Sequence, residues 1–358
     1  MANKRLTYHD QTDMNNILRL REVLSELPPF AKDYFRAAEA TTSTKTRISY
    51  AYDIRVFLNF LKDNNPVYKN YELKDFTLSD LDHVTAQDLI EYMEYLKLYQ
   101  NGRNAAQSSS LTTNGERGHK RKMSSLRSFY AFYFKHEMLS TNPTVLIDMP
   151  KIHEKTIVRL DAGEVAALLE YIENCGSTLK GQALTYYKKT RERDLALITL
   201  LLGTGIRVSE CVGLDLEDVD FRENRIKVVR KGGNEAYVYF GPEVEQALKN
   251  YLEIRAGIAP SPGHEHALFY SAQRKRMNVR SVENLVEKYA SAVTTTKHIT
   301  PHKLRSTYGT ALYRETGDIY LVADVLGHKN VDTTRRHYAA MDDDRRRSAA
   351  SAVHLRKD

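Results

Sequence analysis

Cysteine is scarce in this chain: Cys175 and Cys211 are the only two, far apart and each in an apolar helical context. That excludes a disulfide framework and fits reduced core thiols in a cytoplasmic protein. Long apolar runs are also missing. The longest, residues 195–202, is too short for a bilayer, which needs about 20 residues, and the opening MANKRLTYHDQTD has no apolar segment of the secretory kind, so no membrane is expected as a partner. No internal repeat is present, and no low-complexity tract longer than a loop.

At 358 residues the chain is long enough for two domains, each with its own core. Lysine and arginine outnumber the acids, 53 to 46, for a formal charge of +7. A surplus of that size fits a polyanionic partner, but its placement says more than its sum. Basic clusters recur at 117–122 (RGHKRK), 188–193 (KKTRER), 274–276 (RKR) and 345–347 (RRR). Any one of them alone is most simply a solvated face or loop.

Residues 1–28 read as an N-terminal arm with a helical patch at 14–27, stopped by Pro28-Pro29. Helical spacing resumes at 30–38. Ser43 or Thr44 then caps a helix whose Tyr50, Ile54, Phe57 and Leu61 form a core stripe, ended by Asn64-Asn65-Pro66. Thr85 caps a further helix at 86–99, and residues 100–118, rich in Asn, Ser, Thr and Gly, predict a mobile connection. The helix expected at 122–137 carries Phe129, Tyr130, Phe132, Tyr133 and Phe134, mostly as core.

MPKIHEKTI at 149–157 has the prolines and charge of a linker, which divides a helical domain at 29–150 from a second at 151–341, with a tail at 342–358. In the second domain helices are expected at 162–173 and 193–203, broken by Gly203-Thr204-Gly205. A helical turn at 206–212 follows, then strands at 225–230 and 235–240 joined through Lys231-Gly232-Gly233-Asn234 as a hairpin, then helices at 242–256 and 279–293. The predicted fold class is mainly α with a small β-sheet.

The chemistry concentrates in 299–341, ITPHKLRSTYGTALYRETGDIYLVADVLGHKNVDTTRRHYAAM. His302 and Arg305 share a helix face behind Pro301, which suits a helix start. His328 follows a Leu-Gly break, and Tyr338 lies beyond Thr333 and Thr334. Guanidinium groups grip phosphate oxygens in a fork, imidazoles exchange protons near neutral pH, and a tyrosine oxygen can be a covalent nucleophile. Such a set suits a phosphodiester. A zinc site at His302, His328 and His337 is the rival, disfavoured because two arginines would crowd a cation, and Glu315, Asp318, Asp324 and Asp332 are too scattered to cage magnesium.

TGIRVSE at 204–210, RKGGNE at 230–235, HKLR at 302–305, LGH at 326–328 and Tyr338 together resemble the tyrosine recombinase, or phage integrase, family, with five elements in the family's order. The resemblance covers about 155–341, and SSLRSFYAFYF at 124–134 followed by Asn142-Pro143 is similar to that family's core-binding domain. It implies a helical, SAM-like core-binding domain and a DNA breaking-rejoining catalytic domain. The implied activity is site-specific recombination of duplex DNA through a 3′-phosphotyrosyl intermediate, without ATP, metal or other cofactor, in integration or excision of a mobile element or in inversion.

By the same resemblance Arg207 and Arg305 would hold the scissile phosphate, with Glu210 orienting Arg207 or His302. Lys231 would protonate the leaving 5′ oxygen, His302 would assist proton transfer from the nucleophile Tyr338, and His328 would position the phosphate. Arg230 departs from a common glycine and Asn234 from a common basic residue. Lys120, Arg121, Lys122 and Arg127 are expected to contact DNA phosphates as the two domains close round the duplex. A homotetramer is implied at the synapse, from monomers in solution, with room for accessory factors. The alternatives are a type IB topoisomerase-like enzyme, a chromosome-dimer resolution recombinase, and a catalytically idle DNA-binding accessory protein.

Overall fold

A computed structural model of the chain describes residues 7–100, 111–153, 157–230, 232–328 and 330–331. Lys231, His337, Tyr338, the basic cluster at 345–347 and the tail lie outside the described residues. The chain divides into two compact units, 1–155 and 156–358. Among the described residues no helix is long and apolar enough to cross a membrane.

The first unit is helical: α1 (Tyr8–Glu26), α2 (Ala31–Ala37), α3 (Thr44–Asn64), α4 (Leu78–Asp82), α5 (Ala86–Tyr95) and α6 (Glu116–Lys135). Threonine and serine start several of them. Thr85 accepts from the Asp88 amide while the Asp88 side chain accepts from the Thr85 amide, a reciprocal box that satisfies two orphan donors, and Ser43 caps α3. Helix α1, within the stretch read as an N-terminal arm, packs on α3 and buries Leu20 and Val23 in the common core.

Rings dominate that core. Phe129, Tyr130 and Tyr133 of α6 are buried, whereas Phe134 points outward. Phe129 meets Tyr133 edge-on at 5.0 Å and Tyr34 at 5.1 Å. The Tyr133 hydroxyl donates to the Phe30 carbonyl and the Tyr130 hydroxyl to that of Leu81, which removes the cost of burying them. Two boundaries differ from expectation. Helix α6 starts at Glu116, because RGHKRK is helix-compatible and an acid suits the first turn. The ends of the expected mobile connection pair as β1 (Leu98–Gln100) and β2 (Leu111–Thr113), antiparallel with Tyr99 opposite Thr112.

The second unit contains α7 (Ala162–Asn174), α8 (Gly181–Thr204), α9 (Val208–Gly213), β3 (Val219–Asp220), β4 (Arg225–Val229), β5 (Glu235–Tyr239), α10 (Pro242–Ala256), α11 (Val279–Val293), α12 (Pro301–Thr316) and α13 (Ile319–Leu326). Helix α8 is the centre: Ala196, Leu197, Ile198, Leu200 and Leu201 are buried on every side, and α7, α10 and α12 pack on it. It runs longer than expected, and Arg193, counted with a basic surface cluster, is buried against Asp194, whose other oxygen accepts from the Tyr289 hydroxyl at 2.9 Å. The hairpin forms as expected, with Val229 opposite Glu235. The third strand, β3, pairs with β4 and is too short to show a two-residue period.

Candidate active site

Helix α8 ends at Gly205, where φ is +62° and the amide closes on the Leu201 carbonyl. A side chain at 205 would collide with Tyr308 and Leu326, so this glycine is required both by its backbone angle and by the neighbouring end of α13. The break turns the chain into α9 and makes Arg207 its cap residue. Glu210, one turn on, accepts from the Arg207 amide at 2.7 Å and from its guanidinium at 2.7 Å. Arg207 and Glu210 thus form an ion pair. It fixes the Arg207 side chain, and a guanidinium has more N–H donors than these bonds use.

The second glycine stop ends α13. Gly327 has φ +61°, its amide donates to the Asp324 carbonyl at 2.8 Å, and the His328 amide donates to that of Ala323 at 2.8 Å. This Schellman arrangement places His328 immediately past the helix end. Three guanidiniums from different elements meet the carbonyls of that end. Arg305 of α12, 6% exposed, donates to the Leu326 carbonyl and, at 2.5 Å, to that of Gly205. Arg207 donates to Gly327 at 3.2 Å. Arg230, directly after β4, donates to Val325 at 3.1 Å and Asp324 at 3.4 Å. Helix carboxyl ends carry partial negative charge and unpaired carbonyls, which explains why cations gather there.

Arg207, Glu210, Arg305 and the backbone of His328 thus come together. His302, itself exposed, lies on the first turn of α12, one turn before Arg305 and behind Pro301. Arg230 was noted from sequence only as a departure, and its position at the foot of the Lys231 turn was the one available signal. Among the described residues no group of three or more His, Cys, Asp or Glu side chains could hold a metal.

The residues expected on DNA in the first unit divide. Lys122 is buried, donating to Asn114 at 3.0 Å with Asp53 at 3.9 Å, and burial pushes its ammonium pKa down while Asp53 works the other way. Arg127 donates to the Thr144 and Ile147 carbonyls, both at 2.9 Å. Both therefore turn their charges to partners in their own unit. Arg121, paired with Asp53, and Lys120 retain exposed surface.

The arrangement, two glycine-terminated helix ends bound by paired arginines beside a histidine, runs through the region 143–345 that matches the pattern described as the phage integrase family. The chain belongs to that family. Over 319 residues it is 32% identical to tyrosine recombinase XerC of Caldanaerobacter subterraneus subsp. tengcongensis, covering 86% of this chain and 82% of that protein. It is 30% identical to tyrosine recombinase XerS of Streptococcus mutans over 341 residues, covering 88% and 93%. In fold it is similar to XerH recombinase in a post-cleavage complex with palindromic difH, at TM-score 0.61 and 19% identity over 98% of this chain and 91% of that one. A lambda integrase dimer on a COC′ core site is similar at TM-score 0.58 and 16% identity, over 86% and 75%. This tyrosine recombinase is a site-specific enzyme that cuts and rejoins DNA.

Proposed function

We propose that the tyrosine recombinase works on duplex DNA through a 3′-phosphotyrosyl intermediate, with Tyr338 as nucleophile. The observation that carries this is the convergence of Arg207 and Arg305 on the turn that precedes His328. Arg207 and Arg305 hold the non-bridging oxygens of the scissile phosphate and stabilise the charge of its pentacoordinate transition state. The Tyr338 phenol gives its proton to His302 and its oxygen bonds to phosphorus. The bond from phosphorus to the 5′ oxygen breaks, and that oxygen takes a proton from Lys231. His328 hydrogen-bonds the phosphate. The new bond conserves the phosphodiester energy, so a different 5′ hydroxyl can reverse the step without ATP.

Lys227 is the competing general acid. Its ammonium lies 3.7 Å from Asp218 and 3.5 Å from Glu235, and these acids hold its pKa above the ordinary lysine value although partial burial acts against them. A group held in its charged form makes a poor proton donor, which supports Lys231. We assign duplex contacts to Lys120 and Arg121, a helical core-binding role to 29–150, a catalytic one to 151–341, and assembly into four protomers from free monomers, with accessory factors as further partners. Integration or excision of a mobile element, or inversion, is the event this chemistry would serve.

The test is to incubate the protein with fragmented genomic DNA in EDTA, quench with detergent and sequence whatever remains covalently attached, with Tyr338→Phe as control. Attachment by the wild type alone, at few sites and through a 3′ phosphate, is expected. Adducts formed equally by Tyr338→Phe would remove Tyr338 as nucleophile.

A further inference from the structure

Arg230 has no place in the chemistry above, yet its guanidinium ends on the same helix terminus as the arginines that do. Its amide donates to the Asn234 carbonyl at 2.8 Å and its carbonyl accepts from the Gly233 amide at 3.0 Å, so both backbone groups belong to the turn of the β4–β5 hairpin. Its side chain leaves that turn and ends on a different element, with the two terminal nitrogens on the Asp324 and Val325 carbonyls at the carboxyl end of α13. Gly327 confirms how close the approach is. A side chain there would collide with the Arg230 guanidinium, quite apart from the left-handed backbone that residue requires. One residue therefore bridges two motifs 95 positions apart in the chain, from Arg230 to Val325.

The two ends of this bridge are the residues before Lys231 and the residues before His328. Other ties within the unit reach the α13 turn from Arg207 and Arg305, which stand on α9 and α12 and not on the hairpin turn. Lysine has a long flexible stem, so a turn that carries a proton donor needs an anchor if the donor is to meet one oxygen, and a misplacement of about 1 Å can cost on the order of 100-fold in rate. We propose that Arg230 is a positioning residue that fastens the hairpin turn to the end of α13, keeping Lys231 in register with the phosphate that the arginines and His328 hold. This rests on Lys231 being the acid that protonates the 5′ oxygen.

The test uses the full chain and a duplex carrying its mapped cleavage site, made with the ordinary 5′ oxygen or with sulfur bridging at that position. A 5′ thiolate leaves without a proton, so a defect confined to proton donation disappears on the sulfur substrate. Arg230→Met is expected to cut the oxygen duplex about 10- to 100-fold more slowly at saturating protein, to bind it as wild type does, and to cut the sulfur duplex within about threefold of the wild type. Arg230→Lys, which keeps a donor within reach of the carbonyls, should recover part of the loss. Recovered cleavage of the sulfur duplex shows that each variant is folded.

Equal losses on both duplexes would overturn the proposal, as would unchanged cleavage. So would weaker binding with a shallower salt dependence, which would make Arg230 a phosphate contact. Lys231→Ala separates the two layers: sulfur should rescue it, and a failure there removes the reading of Lys231 itself.

Discussion

Both units turn cations inward, and they do so to different ends. In the first unit Lys122 meets Asn114, Arg127 meets the carbonyls of Thr144 and Ile147, and Arg47 meets Glu39 and the Phe35 carbonyl, each at a separate place in the fold. In the second, Arg207, Arg230 and Arg305 leave three different elements and end on one helix terminus. A buried cation paired by itself at its own place in the fold is scaffold, because desolvation forces pairing wherever it occurs. Several cations from elements distant in sequence, gathered on one point, build a concentrated field that an arriving anion can use. The second unit also contains scaffold of the first kind in Arg193 and Asp194, so the distinction lies in convergence and not in the domain.

The comparison predicts its largest effect at Arg305. Arg305→Ala should lower cleavage by roughly 10³-fold or more, the scale on which a transition-state arginine acts, and single-turnover kinetics on a duplex bearing the target would show it. A loss of tenfold or less would place Arg305 with the scaffold. Next comes Asp194→Ala, which strands Arg193 and the Tyr289 hydroxyl inside the second unit; breaking a buried pair costs about 3–5 kcal/mol, readable as a fall in urea midpoint.

Asp53 sharpens the contrast through pH. Burial pushes its carboxyl up to about 6 from an ordinary 3.8, against the pull of Arg121 and Lys122. The folded state therefore binds more protons than the unfolded one between those values, and this contribution to stability is lost as pH rises through about 6. Asp53→Asn cannot ionise. From pH 4 to pH 7 the wild type should lose stability relative to that variant by up to about 3 kcal/mol, measured by denaturant unfolding at each pH. A difference that stays flat with pH would mean that Asp53 remains ionised throughout.

The smallest effect separates neighbours on α6. Lys120→Ala should weaken DNA binding and reduce the slope of log affinity against log salt by about one. Lys122→Met should leave that slope unchanged, since its ammonium is already committed to Asn114 and Asp53. Equal slopes for the two variants would erase the distinction between surface and scaffold cations in RGHKRK.

Much of this architecture is written locally. The threonine and serine caps, the proline starts of α10 and α12, the glycine stops at 205 and 327, and the hairpin around Gly232-Gly233 all act within a few residues, so their signals survive in the chain read by itself. The order of TGIRVSE, RKGGNE, HKLR and LGH likewise carries the resemblance to the tyrosine recombinases. Composition could not say which lysine of RGHKRK faces water, because Lys120 and Lys122 are chemically identical until α3 brings Asp53 alongside one of them. Nor could it show that α1 is part of the core, that Arg193 is buried, or that Arg230 reaches α13. Each of those depends on a partner far away in sequence, and the energy of burying a charge is decided by the surroundings that tertiary packing supplies.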